Sequence, residues 1–121
     1  SNRILHERIA EYAYAVVKDR PHFHISLIMD VSPFCDCHPE NDAPIVPDIG
    51  MLASFDPVAL DQACVDLVNA APIMDNSLLS ESEDLYDDHF KNVSPDSDWK
   101  SGLIHAEKIG LGSREYELIE I

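Results

Sequence analysis

The chain has 121 residues, 45% of them apolar, and 8 Lys plus Arg stand against 23 Asp plus Glu, a net charge of −15. That size fits one compact domain with a modest core and excludes wholesale disorder. The charge argues against nucleic acid and against anionic membrane surfaces, both of which need a basic patch; it leaves cationic partners, metal ions or simple solubility.

No stretch reaches the roughly 20 apolar residues of a membrane span, and no secretion signal opens the chain. Ser1-Asn2 reads as the remnant of a cleaved tag, so a single α/β domain is expected over 3–121. Its opening inside a helical pattern suggests the C-terminal part of a longer protein. Leu5, Ile9, Tyr12 and Val16 recur at helical steps and predict a helix over 5–18 with that face inward. Arg20-Pro21 ends it. Residues 22–31 alternate, which predicts a strand with Phe23, Ile25, Leu27, Met29 and Val31 on the core face. His22, His24, Ser26, Ile28 and Asp30 fall on its mixed face.

Residues 32–49 carry Pro33, Pro39, Pro44 and Pro47 and predict a long loop. Loops beyond ~12–15 residues are usually functional or disordered, and the two cysteines favour function. Gly50 to Phe55 predicts a short buried strand. Asp56-Pro57 is a helix start, with Asp as N-cap and Pro at the first helical position. Leu60, Cys64, Leu67 and Ala71 form the stripe of that helix, with Cys64 a small packed group and Asp61 and Asp66 off the stripe. A surface loop is expected over 75–84, short helices over 85–92 and 99–109 with Asp98 and Gly110 as caps, and a last strand over 114–121. These elements make a small mixed sheet with flanking helices, a fragment of a larger α/β protein.

Cys35-Asp36-Cys37-His38 is the strongest chemical signal. Thiolate and imidazole suit zinc or iron, although one intervening residue is not the spacing of zinc knuckles or ferredoxins. The alternatives are a structured loop with two ordinary thiols, or a nucleophilic or redox cysteine. With three cysteines and no signal peptide, all are read as reduced, the compartment as cytoplasmic. Carboxylates crowd the same stretch at Asp30, Asp36, Asp42, Asp48, Asp56 and Asp61. They form either a shared cation site or a set of turns, a cap and a solvated helix face. His22 and His24 share a strand face and either chelate a metal or lie partly exposed. No Gly-x-Ser-x-Gly elbow and no phosphate-cradling glycine run occurs.

The runs Asp30-Val31-Ser32-Pro33, Cys35-Asp36-Cys37 and Asn41 to Gly50 resemble an uncharacterised prokaryotic family, domain-of-unknown-function family 362. Asp56-Pro57-Val58-Ala59-Leu60-Asp61 resembles its Asp-Pro-Val-Ala-hydrophobic-Asp signature. His6 to Tyr12 is similar to the stretch that follows a ferredoxin-type segment in longer members, and Ala106 to Ser113 to their C-terminal end. The resemblance implies iron-sulfur association through an upstream ferredoxin-like segment as partner, because three cysteines cannot hold a four-cysteine cluster. The resemblance also implies a further Cys directly after the Cys-Asp-Cys run, where this chain has His38. The resemblance implies no reaction.

Three functions follow as expectations. The first is a metal- or ligand-binding module, with Cys35, Cys37 and His38 holding zinc or iron and Asp30 and Asp42 orienting or joining them. The second is a redox or catalytic half-site completed upstream, with a reactive Cys35 or Cys37 and Asp56 or Asp61 as acid/base. The third is an acidic module that docks a basic partner.

Overall fold

A computed structural model describes residues 1–83 and 86–121. In chain order the elements are α1 (Asn2–Val17), β1 (His24–Ile28), β2 (Gly50–Ser54), α2 (Pro57–Ala70), α3 (Leu78–Glu81), α4 (His89–Val93) and α5 (Trp99–Lys108). The two strands pair antiparallel as one two-stranded sheet, and the flanking helices make the fold a mixed α/β one. No helix among the described residues is long and apolar enough to cross a membrane.

The chain forms two compact units. The first holds Ser1–Ser26, Leu52–Val65 and Asp98–Ile121. Its core joins Ala10, Val58 and Ala106, with Leu103 and Leu111 packed against them. Helix α1 lies on α5. Small residues decide how close the two come: a Cβ on Gly102 would stand 3.2 Å from His6 Cβ. That approach turns α1 away from its expected orientation. Leu5, Ile9, Tyr12 and Val16 are exposed, whereas Ala10 is buried, with His6, Tyr14 and Val17 half-buried around it. The inner face is rotated by one residue, about 100° on a helix, because Ala10, Gly102 and Ala106 allow backbones to meet where larger side chains would hold them apart.

The strand faces are likewise exchanged. Phe23 and Ile25, expected inside, are 53% and 60% exposed, and His24 and Ser26 are half-buried. Helix α2 covers the His24 and Ser26 side, where Ser26 bonds the Cys64 thiol. Phe23, just before β1, meets Phe55, just after β2, edge-on at 4.9 Å. The ends of the unit are tied by Asp56. Its Oδ1 accepts the N–H groups of Val58 and Ala59 at 2.9 and 3.0 Å, the expected N-cap. Its Oδ2 accepts Ser113 N–H at 2.8 Å. Gly112 lies so close to that carboxylate that a Cβ would collide with it. Asp98 caps α5 through Ser101 N–H, and Gly110, at φ +87°, follows that helix. The expected strand over 114–121 is not formed. Beyond Arg114 every residue is exposed and outside the sheet, so its acidic alternation has no strand neighbour to pair with.

The second unit holds Leu27–Met51 and Asp66–Ser97. Among the described residues Ile28, Ile45, Val46, Val68 and Leu79 are its buried apolar side chains, whereas Leu27 and Met29, expected inside, are 65% and 49% exposed. The 32–49 segment forms no helix or strand, as its prolines require. Backbone bonds place it instead: Ile45 N–H to Val31 O at 2.8 Å, Ile49 N–H to Ile28 O at 2.8 Å and Met74 N–H to Ile45 O at 2.9 Å. The expected surface loop over 75–84 contains α3, capped by fully buried Ser77. The next helix is α4, capped by Asp88; Leu85 of the expected 85–92 helix lies outside the described residues. His89, which has no ligand-like spacing, is pinned by Asn69 and by the Ala71 carbonyl.

Candidate functional site

The loop that carries the thiols begins at a conformational switch. Asp30 ends the strand register at φ +49°, a left-handed conformation that Asp tolerates because its short polar side chain bonds locally. Its N–H donates to Asp48 Oδ1 at 2.9 Å, which closes the base of the loop. Asn41 donates to Ser32 Oγ at 3.0 Å, and Asp42 accepts Ala43 N–H at 2.7 Å. The Asp30 amide and the Asp42 carboxylate, both named in the expected metal site, take part in the loop's own hydrogen bonds.

The Cys35 carbonyl accepts His38 N–H at 2.9 Å. That bond folds residues 35–38 into one β-turn. Cys35, Cys37 and His38 are all exposed on it. Hydrogen bonding from the Cys37 amide and thiol holds the Cys35 thiol below its ordinary pKa, and the same pairing raises that of Cys37. His38 is turned toward Glu40, Nδ1 to Oε1 at 3.5 Å, and its ring lies 5.8 Å from that of Phe34. Among the described residues, no three His, Cys, Asp or Glu side chains converge on one point as a metal requires. A four-cysteine cluster does not fit these residues, since the chain has three cysteines. Cys35, Cys37 and His38 share one turn and are residue types that zinc and iron sites use, but they are not gathered as three ligands.

A second constellation lies in the first unit. A cleft of about 450 Å³ opens between α1, the start of β1, α2 and Leu111. Ala13, Val17, Phe23, Leu60 and Leu111 give it apolar walls, and His24, Ser26 and Asp61 give it polar groups. His22 Nδ1 and His24 Nε2 are 2.7 Å apart, a hydrogen bond whose direction depends on the tautomers. Asp61 is open to solvent at its edge. The protein packed around its carboxyl nevertheless raises its pKa, and His24 acts the other way. Burial likewise pushes the Cys64 thiol up, with Ser26 opposing and Asp61 adding to the rise. Cys64 is thus half-buried on the stripe its helix position indicates.

Sequence reasoning named His22, His24 and Asp61 but did not join them. The Asp-Pro helix start is the signal that would have done so. It sets α2 with Asp61 five residues after the cap, one turn beyond the first, on the side that meets β1. Asp56, the other acid/base candidate, is consumed by its three N–H donors.

Among known proteins, the family model described as "Domain of unknown function (DUF362)" matches residues 1–66. No curated protein and no solved structure matches the chain. The match takes in β1, the thiol loop, β2 and the Asp61 end of the cleft, and covers more than half of the 121 residues; the chain belongs to the DUF362 family.

Proposed function

We propose that this chain is a metal-binding module in which Cys35 and Cys37 bind a thiophilic divalent ion, zinc or iron, and His38 completes the protein's share of the shell. The observation that carries this is the Cys35–His38 turn, which presents two exposed thiols and an imidazole within four residues. Asp30 and Asp48 hold the base of the loop and so act as positioning residues. In this reading the module works in the cytoplasm beside an upstream ferredoxin-like segment of a longer prokaryotic protein. Any iron-sulfur cluster resides there, because this chain has too few thiols for one.

Titration with Co²⁺ tests the reading, since thiolate ligation gives near-ultraviolet charge-transfer absorption that Zn²⁺ displaces. The wild type is expected to show it at one ion per chain. Cys35→Ser and Cys37→Ser abolish it, and His38→Ala weakens binding by about tenfold or more. Absence of the band in the reduced wild type overturns the proposal.

The lowered pKa of Cys35 favours a second reading, a reactive thiol. Iodoacetamide should then label Cys35 before Cys37 at neutral pH, and Cys37→Ala should slow that labelling by removing a donor. Equal labelling of both thiols counts against it.

A further inference from the structure

The cleft of the first unit has a polar end that the thiol loop does not use. No hydrogen-bond donor among the described residues reaches the Asp61 carboxyl, and the one charge-bearing group beside it is His24. Neither Lys nor Arg lines the cleft. His24 is itself engaged through Nε2 with His22. Asp61 stands at the solvent edge of the cleft beside these apolar walls, so a cationic group entering from solvent can reach its carboxylate. The volume, about 450 Å³, lies in the range of small-molecule sites. The chain's −15 charge also concentrates cations around it.

We propose that this cleft binds a small organic cation, a protonated primary amine on a compact apolar body. Asp61 accepts the ammonium N–H groups. Ser26 lines the same cleft, and its hydroxyl, which bonds the Cys64 thiol, keeps a lone pair to accept a further one. Val17, Phe23, Leu60 and Leu111 enclose the apolar body. An inorganic divalent ion held by His22, His24 and Asp61 is the competing occupant, and the test below separates the two.

The probe is phenethylamine, compared by NMR titration with its isosteric neutral alcohol and with Zn²⁺. The amine is expected to shift the amide resonances of residues 24–26 and 60–61, with a Kd of about 1 mM or tighter, and the alcohol to bind at least about tenfold more weakly. Asp61→Asn should remove that preference, and Ala13→Trp, which fills the cleft from α1, should abolish binding of both compounds while Asp61 remains. Equal affinity for amine and alcohol overturns the proposal, as does no binding of the amine. Zn²⁺ that binds here more tightly than the amine and is lost in His22→Ala also overturns it. The outcome is independent of metal binding at Cys35 and Cys37, which belong to the second unit.

Discussion

The Asp56 corner and the thiol loop are both built on aspartates, and they use them in opposite ways. At the corner one carboxylate gathers three N–H donors from two distant stretches of chain, Val58 and Ala59 on one side and Ser113 on the other. In the loop Asp42 serves the very next residue, and Asp48 closes the base by holding the Asp30 amide. The first arrangement ties the unit together. The second holds a short turn in shape and leaves its thiols exposed. Structural carboxylates are those whose acceptors are saturated by backbone donors; functional candidates, such as Asp61, keep theirs open.

The contrast breaks most sharply at Gly112. Gly112→Ala should destabilise the chain by about 2–4 kcal/mol in urea unfolding, because the added methyl strikes the Asp56 carboxylate. Asp56→Ala alone should cost about 1–3 kcal/mol through the lost cap and the freed Ser113 amide. In the Asp56→Ala background the Gly112→Ala penalty should shrink; additive penalties would show that the two do not meet.

Core packing comes next. Val58 is 2% exposed, and Val58→Ala should cost about 1–3 kcal/mol by the same measurement. In the loop Cys37→Ala should change stability by less than about 0.5 kcal/mol, as surface changes do. A larger loss there would mean that the thiol turn is part of the fold's support.

Asp61 sharpens the comparison through pH. Its folded-state pKa is raised by burial, so its protonated form is favoured in the fold. The resulting stability is fully present below the unfolded carboxyl pKa and is lost as pH rises through the raised folded value. Asp61→Asn should therefore raise Tm at pH 7, with the gain shrinking as pH falls toward the ordinary carboxylate range. A gain that does not depend on pH would rule out this cause. Glu107 behaves in the opposite sense: the Arg114 amide lowers its pKa, so its contribution is present above the unfolded value and fades as pH falls through the folded one. The smallest effect is at the Arg3–Glu7 pair in the first turns of α1, where Arg3 is exposed and Arg3→Ala should leave Tm unchanged within error.

Much of the layout was legible in the residues. Asp56-Pro57 and Asp98 mark helix starts because capping is local chemistry, decided within three residues. The prolines forbid regular structure over 32–49 for the same local reason. Cys35, Cys37 and His38 share one turn because they are neighbours, so their grouping follows from spacing alone.

What local pattern left undecided was which side of each element faces inward. Periodicity shows that α1 and β1 are two-faced, but either face of an amphipathic element can be the covered one. For α1 the choice fell to Ala10, since Gly102 and Ala106 on α5 admit close approach where Leu5, Ile9 and Tyr12 do not. For β1 it fell to His24 and Ser26, because α2 arrives on their side with Asp61 and Cys64. The strand-like run 114–121 finds no partner strand, and strand formation is a property of pairs. The cleft has the same origin. Residues 13, 24, 61 and 111 are far apart in the chain, and only the packing of α1, β1 and α2 sets an unpaired carboxylate among apolar walls.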